Sequence, residues 1–63
     1  MRQWLYDIRQ RLGLTMLEAA TKAEISESYY SMIENGHRNV SVPTAKKIAK
    51  ALGFHWTKFF EDK

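Results

Sequence analysis

The sequence predicts an all-α fold, in which four short helices and a C-terminal fifth pack into one compact bundle. Apolar residues recur every three or four positions in successive segments, which is the spacing of one helix face. Each of the three glycines, Gly13, Gly36 and Gly53, follows such a segment, where a residue of positive φ commonly ends a helix. No segment alternates apolar and polar residues as a strand does. With 63 residues, the chain is expected to form one domain, residues 1–63.

The first two helices are short, and each has one apolar face. The first is predicted over residues 2–12, and its apolar residues are Trp4, Leu5, Ile8 and Leu12. The second is predicted over residues 16–23, and its apolar residues are Leu17, Ala20 and Ala23. Thr15 precedes the second helix and Glu18 follows three residues later, which is the pattern of a capping box. Thr15 is therefore the expected N-cap of the second helix.

The third and fourth helices also begin after a serine that can cap them. Ser26 precedes the third helix, predicted over residues 27–34 with Tyr30 and Ile33 on one face. Ser41 precedes the fourth helix, predicted over residues 42–52, and Pro43 fits its first turn because N–H groups there have no partner within the helix. The apolar residues of the fourth helix are Val42, Ala45, Ile48, Ala49 and Leu52. A final apolar turn or short helix contains Phe54, Trp56, Phe59 and Phe60.

The second and third helices are joined by a connection of only three residues, Glu24, Ile25 and Ser26. So short a connection forces a sharp angle between the two axes, as in a helix-turn-helix. Counted from Met16, such a unit calls for a small residue at +4 and apolar residues at +7, +9, +14 and +17. The chain has Ala20, Ala23, Ile25, Tyr30 and Ile33 at these positions.

The charge of the chain is compatible with a polyanionic partner. Ten Lys and Arg against seven Asp and Glu give a net charge of +3, and the pI is about 9.5. No acidic residue occurs between Glu34 and Glu61. A basic stretch of this kind can bind nucleic acid, and it can equally be a solvated face, so charge alone does not choose between them.

Several functions and locations are not expected. The absence of cysteine excludes disulfides, thiolate metal sites and a cysteine nucleophile. His37 and His55 lie in different segments and form no recognisable catalytic or metal-binding pattern, so we expect no enzyme activity, metal or cofactor. The longest apolar runs have two or three residues, against roughly 20 for a membrane span. Since no apolar signal region follows the first residues, a cytoplasmic protein without a membrane partner is expected.

Three segments resemble one known family: IRQRLGLT (8–15), ISESYYSMIENGHRNVS (25–41) and AKKIAKALGF (45–54). They are similar to the Cro/C1-type (Xre-like) helix-turn-helix DNA-binding domains of bacterial and phage repressors. The resemblance runs from about Leu5 to Phe60. It implies a lambda repressor-like fold, a compact bundle of four to five short helices whose third helix, Glu27 to Glu34, enters the major groove of DNA.

The resemblance places five residues on the base-facing side of the third helix. They are Glu27, Ser28, Tyr29, Ser31 and Met32. A glutamate can accept from cytosine N4, and an apolar side chain can touch a thymine methyl. Because none of the five is Arg, Lys, Asn or Gln, direct readout is expected to be modest, with more specificity from DNA shape and water. Glu27 has an alternative role, since an acidic residue is also favourable at the positive end of a helix.

The same resemblance implies contacts to phosphates and an internal bridge. The expected phosphate-contacting residues are Thr15, Met16, Asn35, His37, Arg38, Asn39 and Ser41. Met16 stands where the family often has a glutamine, and a thioether cannot make the hydrogen bonds of that glutamine. Arg9 and Glu34 correspond to a pair that bridges the first and third helices, which makes Glu34 structural.

The C-terminal aromatic residues Trp56, Phe59 and Phe60 exceed what one small core is expected to absorb. They can close the first and fourth helices as a lid and can also form a homodimer interface, and we expect them to do both. The resemblance therefore implies a sequence-specific regulator of double-stranded DNA, a small phage- or mobile-element-type repressor that binds a palindromic operator as a homodimer. The alternative is a protein-interaction module of the antitoxin or antirepressor-partner type, which the lack of arginine on the reading face favours.

Overall fold

The structure, a computed structural model, describes residues 1–61 and contains five helices within that range. In chain order they are α1 (Gln3–Arg11), α2 (Met16–Ala23), α3 (Glu27–Glu34), α4 (Val42–Leu52) and α5 (Lys58–Glu61). The all-α prediction is confirmed, and no strand occurs among the described residues. The predicted bounds of α2, α3 and α4 agree with the structure, and α1 is one residue shorter at each end. Residues 62 and 63 of the predicted domain lie outside the described residues.

The three helix starts inside the chain have the caps that the sequence predicts. Thr15 Oγ1 accepts from the Glu18 N–H at 3.1 Å, and the Thr15 N–H donates to Glu18 Oε1 at 2.8 Å, which completes the capping box. The hydroxyl of Ser26 caps α3 and that of Ser41 caps α4 in the same manner. Each cap contributes roughly 1 kcal/mol. The starts of α2, α3 and α4 are thus determined locally.

An apolar residue precedes each of these caps and contributes to the core. Leu14, Ile25 and Val40 stand before Thr15, Ser26 and Ser41, and Val40 is itself buried. This is the arrangement of a hydrophobic staple, in which such a residue packs against the first turn and a half of the helix. The staples fix the direction in which the chain enters each helix.

The core lies between α1, α2, α3 and α4, with α5 against it. Its largest fully buried side chains are Leu5, Tyr30, Ile33, Ile48 and Glu34. Three alanines without exposed surface, Ala19, Ala20 and Ala45, lie among them. Because a methyl side chain takes little room, α2 can approach α3 and α4 closely. The position of α3 is therefore set by packing on α2.

Three predicted core residues are instead exposed: Leu12, Leu17 and Val42. Leu12 caps the end of α1, beyond the last turn that packs on the core. In α2 the buried face is centred on Ala19, Ala20 and Ala23, which turns Leu17 to solvent. In the fourth segment, Val40 takes the core position before the cap, and Val42 lies on the outer side of the first turn.

A left-handed residue makes the turn between α2 and α3. Glu24 has φ 61° and ψ 39°, and it is the only non-glycine residue of positive φ among residues 1–61. Its N–H donates to the Thr21 carbonyl at 3.1 Å, while the Ile25 N–H donates to the Ala20 carbonyl at 3.0 Å. This pair of hydrogen bonds is a Schellman motif, which usually has glycine at the left-handed position. It ends α2 and redirects the chain into α3.

Candidate functional site

The residues predicted to face DNA differ in how far they are exposed. Glu27 and Ser28 are exposed, at the first turn of α3, whereas Tyr29, Ser31 and Met32 are half-buried. The accessible part of the predicted reading face is therefore its N-terminal end. That is the end which a helix in the major groove presents to the bases.

Tyr29 is held by the protein on two sides. Its ring packs against the core, its hydroxyl lies 3.4 Å from Thr44 Oγ1 in the first turn of α4, and the guanidinium carbon of Arg38 lies 5.5 Å from the ring centroid. A cation over an aromatic face at this distance is attracted by the ring quadrupole. The Tyr29 ring thus lies between α4 and the loop that carries Arg38, and only part of it is accessible on the predicted base-facing side.

The loop after α3 presents an exposed basic segment beside this helix. His37, Arg38 and Asn39 are exposed, while Val40 anchors the end of the loop in the core. Asn35 is half-buried, and its Nδ2 donates to Ser31 Oγ at 3.2 Å. The loop therefore leaves α3 along a defined path and offers the Arg38 side chain to solvent.

The remaining predicted phosphate contacts lie at helix starts. Thr15 and Ser41 are exposed caps of α2 and α4, where unpaired N–H groups favour an anion. Ser41 Oγ also donates to Thr44 Oγ1 at 3.1 Å, so its hydroxyl hydrogen is already used within the first turn of α4. Met16 is half-buried and packs against the core. Its expected contact with phosphate would involve only the remaining exposed part of its side chain.

A buried polar network fixes α3 to α1. Arg9 Nε donates to Glu34 Oε1 at 2.8 Å and Arg9 Nη2 donates to Glu34 Oε2 at 2.9 Å, so the expected bridging pair is a bidentate ion pair. Arg9 Nη1 also donates to the Leu14 carbonyl at 2.9 Å, and the Tyr30 hydroxyl donates to Glu34 Oε1 at 2.9 Å. Glu34 has no exposed surface. Its carboxylate is therefore stabilised only by the protein.

The protonation states of this network are set by its geometry. The hydrogen bond to Glu34 raises the pKa of the Arg9 guanidinium, so this group keeps its charge. Burial, and then the neighbouring Glu34 carboxylate, raise the pKa of the Tyr30 phenol above its ordinary value. Tyr30 is thus neutral in the folded protein and remains a donor to Glu34.

The Tyr30 phenol is expected to make the fold sensitive to alkali. In the unfolded chain it ionises near pH 10, and the folded protein retains the proton. Its contribution to the free energy of unfolding is complete below about pH 10 and falls by up to about 1.4 kcal/mol per pH unit above it. Urea unfolding at several pH values between 9 and 11 measures this slope. Tyr30→Phe should flatten this slope, and equal slopes in the Tyr30→Phe and wild-type proteins would contradict the assignment.

The C-terminal aromatic residues separate into core and surface. The Phe59 ring lies 5.0 Å from the Trp4 ring and 5.7 Å from the Phe54 ring, and the side chain is only 5% exposed. Phe59 therefore takes the lid role that was also expected of it, and only a small part of its side chain is accessible to a partner. Phe60 is 44% exposed and lies 6.0 Å from the half-buried Trp56. This Trp56–Phe60 pair is the part of the predicted interface that faces outward.

Sequence reasoning missed two residues at the site, Thr44 and Arg2. The spacing of Ser41 and Thr44 marks the start of α4, and this signal could have pointed to Thr44. Arg2 precedes α1, and its side chain reaches the C-terminal end of α3 and the Arg38 backbone. No local sequence pattern predicts such a contact between residues more than 30 positions apart.

Two classes of feature are absent from the described part of the chain. Within residues 1–61 no group of three or more His, Asp or Glu side chains is arranged to hold a metal ion. No helix in this range has the length and apolar character needed to cross a membrane.

Comparison with known proteins gives one family and several relatives. The family described as "Helix-turn-helix" matches residues 5–59. An uncharacterized HTH-type transcriptional regulator of Bacillus subtilis (strain 168), YqaF, is 53% identical over 62 residues, which are 98% of this chain and 82% of that protein. Control protein C.MunI of Mycoplasma sp is 35% identical over 54 residues, 86% of this chain and 73% of that protein. The uncharacterized HTH-type regulator y4dJ of Sinorhizobium fredii is 39% identical over 46 residues, 73% of this chain and 60% of that protein.

Proposed function

Because the chain belongs to the Cro/C1-type helix-turn-helix family of DNA-binding transcriptional regulators, we propose that it acts as a small phage- or mobile-element-type repressor on a palindromic operator. The observation that supports this most is the juxtaposition of the exposed first turn of α3 with the Arg38 loop, joined through Tyr29. One element can read base edges while the other binds the adjacent phosphates. We place this action in the bacterial cytoplasm, where the DNA of such relatives lies.

Base readout is assigned to the N-terminal end of α3. Glu27 and Ser28 are the exposed members of the predicted face and can form hydrogen bonds to base edges. Ser31, Met32 and the exposed edge of Tyr29 lie further along and contribute apolar or water-mediated contact. With so few hydrogen-bonding groups, much of the specificity comes from the shape of the DNA.

Phosphate binding is assigned chiefly to Arg38, supported by His37, Asn39 and the capped starts of α2 and α4. Arg38 carries a full charge on an exposed loop, and its guanidinium can pair with two phosphate oxygens. Homodimerisation through Trp56 and Phe60 brings two such surfaces together. Two reading helices about 34 Å apart then match successive major grooves on one side of the duplex.

Selection from a random duplex pool, followed by titration of the purified protein, tests the proposal. Log affinity for the selected duplex is expected to fall linearly with log salt, by about 0.9 for each phosphate neutralised. Arg38→Ala should reduce that slope by about 0.9 and weaken all duplexes alike. Ser28→Ala should instead change the preference at one or two positions by about 1 kcal/mol or more.

Lys50→Ala is the matched control, since it removes one positive charge from an exposed site in the last turn of α4. It should leave both the slope and the sequence preference nearly unchanged. If the Ser28 and Arg38 variants lose affinity equally on every duplex, the assignment of the reading face is wrong. If the wild-type protein prefers no duplex sequence, the repressor proposal itself is wrong.

A protein-interaction module is the second candidate. The first turn of α3 contains an exposed acidic residue, Glu27, and no exposed Arg or Lys, which supports this second function. A carboxylate at this position is repelled by phosphates unless it finds a base donor. Under this function, duplex affinity would be no greater than that of any basic protein at low salt.

A further inference from the structure

The C-terminal end of α3 lacks a cation of its own. The helices α1, α2 and α4 each have an arginine or lysine in the last turn, whereas α3 has none. Carbonyl groups at the end of a helix carry partial negative charge, and a nearby cation stabilises them. Glu34, the last residue of α3, adds a carboxylate that is already paired with Arg9. The partial charge on the carbonyls must therefore be balanced from elsewhere.

Arg2 supplies that cation from outside the helix-turn-helix. Its N–H donates to the Glu34 carbonyl at 2.7 Å, and its Nη1 donates to the Ile33 carbonyl. The side chain is half-buried, so these hydrogen bonds are partly shielded from water. Arg2 thus donates to two carbonyls at the end of α3, of which that of Ile33 also accepts from the Gly36 N–H at 3.1 Å, and it places a positive charge beside them.

The Arg2 guanidinium also lies close to the loop that carries Arg38 and to α5. Arg2 Nη1 lies 3.3 Å from the Arg38 carbonyl, and the guanidinium carbon lies 5.6 Å from the centroid of the Phe59 ring. Arg38 is therefore held twice, with its backbone against Arg2 and its guanidinium 5.5 Å from the Tyr29 ring. One side chain links the end of α3, the loop and α5.

We propose that Arg2 is a positioning residue for DNA binding, which fixes the Arg38 loop against the end of α3 so that the Arg38 guanidinium is preorganised for phosphate. This inference rests on the proposed function. Arg2 acts through Arg38, because its own guanidinium is engaged with carbonyl groups and the Phe59 ring. Lysine replaces this role only in part, since a guanidinium presents a planar fork of donors and an ammonium group is a compact point charge.

A double-mutant cycle on duplex affinity tests the proposal. Arg2→Met keeps an unbranched apolar stem but removes the guanidinium with its charge and donors, and it should weaken binding to the selected duplex about 3- to 10-fold. In the Arg38→Ala background the same change should have an effect smaller than about 2-fold, because the group that Arg2 positions is gone. Arg11→Met, which removes an exposed arginine from α1, is the control and should give equal small losses in both backgrounds.

Two further measurements keep the test decisive. Arg2→Lys should retain the fold and lose about 2- to 3-fold in affinity, again only when Arg38 is present. Hydrogen exchange of the His37 amide, bonded to the Met32 carbonyl at 2.9 Å, should accelerate about 3- to 10-fold in Arg2→Met relative to Arg11→Met. Equal losses in both Arg38 backgrounds, or unchanged His37 exchange, would overturn the proposal. If the wild-type protein binds no duplex, the proposed function fails, and the exchange experiment still reports whether Arg2 fixes the loop.

Discussion

Glu34→Ala is expected to lower the free energy of unfolding by about 3–5 kcal/mol, since it leaves the buried Arg9 charge without its partner. The Tyr30 hydroxyl loses its acceptor in the same step. A domain below about 70 residues rarely has more than 3–5 kcal/mol of stability from its core, so this one change removes most of it. Urea or thermal unfolding followed by circular dichroism measures the loss.

Glu27→Ala is the matched control, because it removes an exposed glutamate from the other end of α3. It should cost no more than about 1 kcal/mol, through the loss of an acidic residue at the helix start. Arg9→Met combined with Glu34→Leu should be more stable than Glu34→Ala alone, since no unpaired charge then remains buried. A Glu34→Ala protein as stable as the Glu27→Ala protein would show that the ion pair contributes nothing.

Phe59→Ala is expected to destabilise the fold by about 3–5 kcal/mol, whereas the same change at the neighbouring Phe60 should cost less than about 1 kcal/mol. The Phe59 ring packs edge-on against Trp4 and beside Phe54, so truncation leaves a cavity at the junction of α1 and α5. Phe60 is 44% exposed and packs on Trp56 at the surface, so its truncation is expected to leave no enclosed cavity. Chemical denaturation of the two variants measures the free energy of unfolding of each, so that the same substitution is compared at two adjacent positions.

Self-association, unlike the stability of the fold, should depend more on Phe60 than on Phe59. If Trp56 and Phe60 form the homodimer interface, Phe60→Ala weakens dimerisation while the folded monomer persists. Sedimentation equilibrium over a range of concentrations measures the effect. A Phe60→Ala protein that dimerises as strongly as the wild type would place the interface elsewhere on the molecule.

The helix starts could be predicted because their determinants are local. Thr15, Ser26 and Ser41 cap α2, α3 and α4 with side chains that reach N–H groups only three residues away. Interactions over three positions can be read from sequence without knowing the fold. This is also why the predicted bounds of these helices agree with the structure.

Burial at the ends of the elements was harder to predict. A helix of two turns such as α2 offers both Met16 and Leu17 as candidates for its apolar face, and the two point about 100° apart. Only packing against α3 and α4 decides that Met16 contacts the core and Leu17 does not. Val40 and Val42 present the same choice on either side of the Ser41 cap.

The candidate site shows a similar division. The residue set on α3 and its loop followed from resemblance, but the engagement of Tyr29 by Thr44 and the contact of Arg2 with Ile33 depend on segments 15 and 31 positions apart in the chain. Phe59 was expected to serve both as a lid and in a homodimer interface, because three aromatic side chains exceeded the expected capacity of the core. The core accommodates its ring through an edge-on contact with Trp4 and a tilted contact with Phe54.

The left-handed Glu24 has a consequence for how this fold can change over time. A side chain with a Cβ atom is disfavoured by about 1–2 kcal/mol in that conformation, so the turn that aims α3 is under strain. Glycine at this position would remove the strain in the folded state. It would also give the unfolded chain more conformational freedom, which lowers the free energy of unfolding by about 0.4–1 kcal/mol and offsets part of that gain. The remainder is stability that the lineage can still acquire by a substitution outside α3. A destabilising but useful substitution on α3 could therefore be compensated by one substitution in the turn before it.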